Sequence, residues 1–162
     1  MIILGVDPSL RCTGYGVVDF SAGLSKPTAL DFGTIPNPAK LSQAQCLVAI
    51  EEKLLEAIAR FRPEAMAIES TIYLQNVRTA ITLGAARGAA LLAAAKQGLV
   101  IHEYAPRRIK SAATGHGGAQ KNQVAFMIRA LLGLTVTPSS DAADALAVAL
   151  TCGQDRKQKI SN

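Results

Sequence analysis

Three short apolar runs open the sequence, and they constrain the fold more than any other feature. Each run is rich in β-branched residues, which favour extended strands. The links between the runs are short and polar, so consecutive strands are predicted to pair antiparallel. Asp7 precedes Pro8, and a residue before proline prefers extended geometry, so Asp7 is predicted to close the first strand. The predicted strands cover residues 2–6, 13–20 and 29–35.

Helical and strand patterns alternate through the rest of the chain. Leu47, Ile50 and Leu54 recur at helical spacing in a long amphipathic segment. Gly84 and Gly88 lie four residues apart in an Ala-rich helix, where they are predicted to let another backbone approach closely. The order of elements predicts a mixed five-stranded α/β sheet flanked by helices. The predicted helices cover residues 41–61, 77–97, 106–113, 121–132 and 140–152, and the further strands cover residues 65–68 and 100–104.

The length of 162 residues suits a single domain, predicted over residues 1–153 and followed by a frayed polar tail over residues 154–162. Cys12, Cys46 and Cys152 are widely separated and form no CxxC pair, which disfavours a zinc site. An N-terminus without a charged n-region and an odd number of cysteines favour a cytoplasmic protein with reduced thiols. The apolar stretches are too short and too charged to predict a membrane span.

Positive charge is concentrated in the middle of the chain. The net charge is +5, and Glu103 is the only acid between Ser70 and Ser140. A basic middle flanked by isolated carboxylates is typical of a surface that binds a polyanion. Arg87 could cap a helix or pair internally, so it is left outside the predicted site. The basic residues of this stretch are Arg78, Arg87, Lys96, Arg107, Arg108, Lys110, Lys121 and Arg129.

Four carboxylates occupy positions from which they can converge. Asp7 and Glu69 each end a short apolar strand, while Asp141 and Asp144 lie three apart at the start of the last helix. Taken singly, each has an ordinary explanation, as a solvated strand end or as an acid beside a helix N-terminus. Taken together, they predict a site for Mg²⁺, which prefers carboxylate oxygen. Two such ions about 3.5–4 Å apart can activate water for phosphodiester cleavage.

Two blocks of the sequence are specific in combination. The first, at residues 3–18, reads Ile-Leu-Gly-Val-Asp-Pro-Ser-Leu-Arg-Cys-Thr-Gly-Tyr-Gly-Val-Val. The second, at residues 141–147, reads Asp-Ala-Ala-Asp-Ala-Leu-Ala. Shorter matches lie between them, at residues 67–69, 76, 83–88, 103–105, 109–110 and 121. Together they resemble the bacterial Holliday-junction resolvase family RuvC, of the RNase H-like superfamily, in order from residue 2 to about residue 151.

The resemblance implies an RNase H-like fold and a homodimer that cuts four-way DNA junctions symmetrically during recombination and repair. It implies the branch-migration proteins RuvA and RuvB as partners, and two Mg²⁺ ions per site, which Mn²⁺ can replace. The implied catalytic residues are Asp7, Glu69, Asp141 and Asp144, which bind the metal ions, and Lys121 beside the scissile phosphate. Arg107 and Arg108 share the short helix of Lys110 and suit phosphate contacts, and Arg78 could reach DNA beside Tyr73. The predicted DNA contacts are Ile72, Tyr73, Asn76, Arg78, Arg107, Arg108, Lys110 and Lys121.

One stretch departs from the family pattern. Ile72 stands where a base-stacking phenylalanine is usual, while Tyr73 keeps one aromatic ring. Tyr73 could stack on a base and Ile72 could act as an apolar wedge. Packing of both side chains beneath their loop is an equal alternative. The departure bears on sequence preference more than on cleavage.

Other functions remain open on the sequence alone. One is a junction-binding module without turnover, although the presence of all four acids disfavours it. Another is an RNase H-like nuclease that acts on RNA or on flap substrates. An actin-like nucleotide-binding protein would share the sheet topology. However, this chain is short for such a protein and lacks a second phosphate-binding domain.

Overall fold

A computed structural model describes residues 1–70 and 76–160, apart from the side chains of residues 157–160. Within this part of the chain, the strands are β1 (Ile2–Asp7), β2 (Cys12–Asp19), β3 (Thr28–Pro36), β4 (Ala65–Glu69) and β5 (Val100–Tyr104). They form one sheet in the order β3-β2-β1-β4-β5. The first three strands pair antiparallel, as predicted, and β4 lies parallel to both β1 and β5. The helices are α1 (Gln43–Phe61), α2 (Val77–Lys96), α3 (Pro106–Thr114), α4 (Lys121–Leu131) and α5 (Ser140–Ile160).

Local hydrogen bonding sets the two ends of α1. The Ser42 hydroxyl accepts from the Gln45 N–H, and the Gln45 side chain accepts from the Ser42 N–H. This reciprocal cap starts the helix at Gln43, slightly later than the predicted start at residue 41. At the other end, Arg62 adopts a left-handed φ of 49° and donates its N–H to the Ile58 carbonyl. That geometry stops the helix before the next strand.

The sheet is covered on both faces. On β1, Leu4 and Val6 belong to the apolar cluster formed with α1 and α2. Ile3 belongs to a second cluster formed with α3, α4 and α5, and Gly5 faces α5 directly. Successive side chains of a strand point to opposite faces, so this alternation assigns each residue to one layer. Charged groups on the central strands are therefore best accommodated at the strand ends.

Helix α5 lies directly against β1 and β2 because glycines face it from both strands. A Cβ atom on Gly5 would lie 2.0 Å from the backbone oxygen of Ala145. One on Gly14 would lie 2.0 Å from the backbone oxygen of Asp141. Both distances are far shorter than van der Waals contact, so neither position tolerates a side chain without movement of the helix. The two glycines thus set how closely α5 approaches the sheet.

Helix α5 extends to Ile160 rather than ending at Cys152, so residues 154–160 are helical where a frayed tail was predicted. Contacts with α3 account for the difference. Asp155 forms an ion pair with Arg108, and the Gln154 side chain donates to the Ala112 carbonyl at 3.4 Å. The polar composition of the segment could not reveal these partners. Of the described helices, none is long and apolar enough to cross a membrane.

Within the described part of this chain, no other backbone packs closely against Gly84 or Gly88. A Cβ atom built on either glycine would have nothing within 4 Å. Both glycines lie on an exposed side of α2, together with Ile81 and Leu92. The residues that pack α2 against its neighbours are instead alanines such as Ala86 and others on the opposite side of the helix. Gly84 and Gly88 therefore lie on the surface of α2, while its buried alanines form the internal contact.

Replacing Gly14 with alanine is expected to destabilise the fold by about 1–3 kcal/mol, because the methyl group must displace the Asp141 backbone. Urea unfolding followed by circular dichroism measures this difference. Gly33→Ala on β3 is the matched control, since its added Cβ would meet only the Tyr15 ring at 3.3 Å. A Gly14→Ala protein as stable as the Gly33→Ala protein would contradict the close approach of α5.

Candidate active site

The carboxylates of Asp7 and Glu69 lie side by side at one edge of the sheet. Strands β1 and β4 run parallel with Val6 opposite Ile68, so the next residues, Asp7 and Glu69, end adjacent strands. Alternation along the strands points both side chains to the face that α5 covers, the same face as Gly5. Neighbouring strands are about 4.8 Å apart, which brings the two carboxylates within direct electrostatic range.

Helix α5 brings Asp141 and Asp144 to the same edge. Gly14 lies opposite Asp7 in the β1–β2 pair and touches the backbone of Asp141 on its other side. Asp141 therefore lies over the end of β1. Asp144 follows one turn later on the same side of the helix. The structure thus brings together all four acids that the sequence singled out, and Asp7 interacts electrostatically with each of the other three.

Burial and crowding raise the pKa of Asp7 from its ordinary 3.8 to about 7. Loss of hydration is the largest cause, followed by the negative charges of Asp144 and Glu69, while Lys121 acts in the opposite direction. Burial also raises the pKa of Glu69, and Asp144 adds to that effect. Raised carboxylate pKa values mean that neighbouring positive charges do not fully offset the negative charges of this site. The cluster is therefore electrostatically suited to attract a cation.

Two lysines supply part of that positive charge. The Lys121 Nζ, at the first residue of α4, lies 3.0 Å from Asp144 Oδ2. This hydrogen bond raises the pKa of Lys121, so its ammonium stays protonated. The charge of Lys110, on α3, lowers the pKa of Glu69 against the effect of burial. Cations from two helices therefore flank the carboxylates.

The chemistry of the donors can be compared with that of possible metal ions. All four acids offer carboxylate oxygen, which suits Mg²⁺ better than metals that prefer nitrogen or sulfur. Across residues 1–70 and 76–160, no group of three or more Asp, Glu, His and Cys residues is arranged so that it could hold a metal ion. Asp144 is instead ion-paired with Lys121. The donor types fit a hard divalent cation, and binding one would require the side chains to rearrange.

The sequence did not reveal two contacts made to these acids. The Cys12 thiol lies beside the Asp141 carboxylate, which raises the pKa of the thiol. The spacing of Cys12 and Gly14 on β2 is the signal that could have placed this thiol on the α5 face. The second contact is a hydrogen bond of 2.7 Å from Arg87 to the backbone oxygen of Glu69. Of the two alternatives for Arg87, the structure shows internal pairing, through an ion pair with Glu103.

The predicted DNA contacts on the surface differ in their surroundings. Asn76 caps α2, because its side-chain oxygen accepts from the Thr79 N–H at 3.1 Å. Arg78, in the first turn of α2, and Arg107, on α3, are exposed. Both arginines therefore remain available to phosphates.

Arg108 forms an ion pair with Asp155, which lies roughly 21 Å along α5 from Asp141 at the usual helical rise. The guanidinium of Arg108 therefore already has a protein partner, and its contact with DNA stays a prediction. Ile72 and Tyr73 lie outside the described residues.

Comparisons with known proteins agree across nearly the whole chain. A family model described as crossover junction endodeoxyribonuclease RuvC matches residues 3–152, a range that includes all four acids and both lysines. A protein of that name from Akkermansia muciniphila is 51% identical over 151 residues, covering 93% of this chain and 89% of that protein. Another, from Halorhodospira halophila, is 46% identical over 160 residues, covering 98% of this chain and 93% of that protein.

Solved structures give the same result. Thermus thermophilus RuvC in complex with a Holliday junction substrate matches with a TM-score of 0.89 at 36% identity, covering 98% of this chain and 96% of that chain. The yeast mitochondrial Holliday junction resolvase Ydc2 matches with a TM-score of 0.69 at 12% identity, covering 98% and 80% of the two chains, and shares the fold alone. The prediction of an RNase H-like mixed sheet is confirmed.

The raised pKa of Asp7 predicts how pH affects the stability of the metal-free protein. The folded state holds this proton more tightly than the unfolded state does. The resulting stability is fully present below about pH 3.8 and is lost as pH rises through about 7. Asp7→Asn removes this dependence. Its stability relative to wild type should therefore rise by about 2 kcal/mol between roughly pH 5.5 and pH 8.

Urea unfolding of both proteins at the two pH values, with chelator present, measures the change. The matched control is Glu52→Gln, which removes an exposed carboxylate from α1. If the free energies of unfolding of Asp7→Asn and wild type differ by the same amount at both pH values, the raised pKa of Asp7 is contradicted.

Proposed function

The chain belongs to the RuvC family of crossover junction endodeoxyribonucleases, and on this premise we propose that it resolves four-way DNA junctions by hydrolysing phosphodiester bonds. The observation that carries the proposal is the cluster of four carboxylates beside Lys121 at one edge of the sheet. Such a cluster has little structural benefit by itself, because like charges repel and partial burial strengthens the repulsion. Bound cations would offset this repulsion, so the cluster suits a site that binds cations and a phosphate.

We propose that Mg²⁺ is the ion that this cluster binds. Nucleases of this family are metal-dependent, and Mg²⁺ favours carboxylate oxygen and water as ligands. Divalent ions held by these acids would supply activation of a water molecule and stabilisation of the leaving oxygen. Mn²⁺ accepts the same donors. The residues that would hold the ions are Asp7, Glu69, Asp141 and Asp144.

The lysines would act on the phosphate itself. While Lys121 is paired with Asp144, their charges offset each other. Released from Asp144, the ammonium of Lys121 would face the scissile phosphate, where it would offset negative charge that develops in the transition state. Lys110 would hold the DNA strand beside Glu69 through a phosphate contact. The surplus of positive charge in the middle of the chain supports this role.

With Mg²⁺, the protein is expected to introduce paired symmetric nicks into a labelled synthetic four-way junction while leaving a linear duplex of the same sequence intact. Chelator should abolish the nicks. Asp7→Asn should bind the junction normally but cut it slower by a factor on the order of 100, because one of the carboxylates that would hold the metal ions is lost. Denaturing gels measure cutting, and gel shifts measure binding.

The same assay separates the competing functions. Tight junction binding by the wild-type protein without any cutting would favour a catalytically silent binding module. Preferential cutting of an RNA hybrid or a flap would favour an RNase H-like nuclease with another substrate. Either result would overturn the proposed resolvase activity.

We further propose that the protein acts as a homodimer that pairs through α2. Ile81 and Leu92 are 65% and 48% exposed, and they share one stripe of the helix with Gly84 and Gly88. Open space above the glycines would let a second α2 approach closely, and a two-fold arrangement makes the stripe complementary to itself. Such a dimer would present two identical sites to a nearly symmetric junction. The RuvA–RuvB complex is proposed as the partner on the family resemblance.

Ile81→Glu is expected to convert the dimer into a monomer, because pairing would bury a charge in an apolar contact. Sedimentation velocity measures the change, and the junction assay should show isolated rather than paired nicks. Val48→Glu is the matched control, since Val48 is a 50% exposed apolar residue on α1. A dimer that persists in the Ile81→Glu protein would rule out α2 as its interface.

A further inference from the structure

We propose that Arg87 is a positioning residue that holds Glu69 in place for the reaction, an inference that rests on the proposed nuclease function. Arg87 belongs to α2, on the face of the sheet opposite to the carboxylate cluster. Its Nη1 lies 2.7 Å from the backbone oxygen of Glu69, and its Nη2 lies 2.7 Å from Glu103 Oε1. The side chain is only 14% exposed, so these two contacts use a largely buried guanidinium.

The contact with Glu69 fixes one particular peptide group. Glu69 is the last residue of β4, and its carbonyl and the N–H of Ser70 belong to the same planar peptide. The Ser70 N–H donates to the Tyr104 carbonyl at 2.8 Å, while the Glu69 carbonyl accepts from Arg87. The peptide is therefore held from both sides, by β5 and by α2. Its orientation determines where the Glu69 side chain leaves the strand.

Glu103 in turn fixes Arg87. Glu103 lies on β5 opposite Ile68, the neighbour of Glu69, so the ion pair is anchored to the same part of the sheet. An arginine can donate to two acceptors at once through its planar guanidinium, whereas a lysine offers a single ammonium group. A buried arginine also needs a negative partner to offset its loss of hydration. Glu103 is the single acid in the otherwise basic stretch between residues 70 and 140, and its ion pair with Arg87 gives it a structural role there.

The position of Glu69 matters because catalytic geometry has little tolerance. A displacement of about 1 Å in a reacting group can slow a reaction by roughly 100-fold. Without Arg87, the end of β4 would keep its Tyr104 contact but lose the bond on the other side. The Glu69 carboxylate would then shift relative to Asp7 and Asp144. DNA binding, which depends on the basic surface, would be little affected.

The test compares Arg87→Ala and Arg87→Lys with wild type. Lys96→Ala is the matched control, because Lys96 lies on the same helix and forms an ion pair with Glu51 at 2.5 Å. Arg87→Ala is expected to slow single-turnover junction cleavage by about 10- to 100-fold, with junction affinity in chelator changed less than about threefold. Arg87→Lys should fall between Arg87→Ala and wild type, and Lys96→Ala should cut as wild type does.

Hydrogen exchange without metal or DNA gives a readout that does not depend on activity. Arg87→Ala should accelerate exchange in the peptide covering residues 65–70, and Lys96→Ala should not. If Arg87→Ala does not fold, Glu103→Gln keeps an acceptor for Arg87 but loses the negative charge, so it is expected to cut at a rate between those of wild type and Glu103→Ala.

Two results would overturn the inference. One is cleavage at the wild-type rate by the Arg87→Ala protein or, if that protein does not fold, by the Glu103→Ala protein. The other is acceleration of exchange throughout the protein together with a parallel loss of junction binding, which would mark Arg87 as a general support of the fold. A wild-type protein that cuts no junction would instead refute the proposed function. The exchange measurement on residues 65–70 does not depend on cleavage, so it still tests the role of Arg87 separately.

Discussion

The contact between α5 and the two strands β1 and β2 is the constraint on which the rest of the site depends. Gly14 pairs with Asp7 on one side and meets the Asp141 backbone on the other, so one residue connects the strand end with the helix start. The separation of these two acids is therefore set by packed backbone and not by flexible side chains. Sites built on rigid elements in this way keep their geometry better than sites built on loops.

That rigidity has an electrostatic consequence. The backbone keeps Asp7, Glu69 and Asp144 together although their charges repel, and the raised pKa of Asp7 is the sign of that repulsion. Lys121 relieves it in part through Asp144. Two apolar clusters, one on each face of the sheet, supply the stability that the carboxylates reduce. Cation binding and folding stability are consequently linked in this protein, because any ligand that binds only the folded state stabilises it.

The sequence predicted the features that depend on local pattern. Asp7 and Glu69 could be placed at strand ends because alternation and proline preference act over a few residues, and the Asp141–Asp144 spacing defines one helix face. Features that depend on tertiary partners could not be predicted. The extension of α5 needs Arg108 on α3, which its polar composition does not reveal. The open space above Gly84 and the hydrogen bond from Arg87 to a backbone carbonyl follow only from the packed structure.

The two faces of the sheet contribute differently to the site. On one face, α5 carries Asp141 and Asp144 to the strand ends. On the other face, α2 holds the peptide of Glu69 through Arg87 and exposes the stripe proposed to pair with a second copy. Because α2 both contacts the Glu69 peptide and would form the dimer contact, pairing through α2 would fix each Glu69 relative to the dimer axis. Symmetric cutting of a junction requires two sites at a set separation, and a single rigid helix in each copy would provide it.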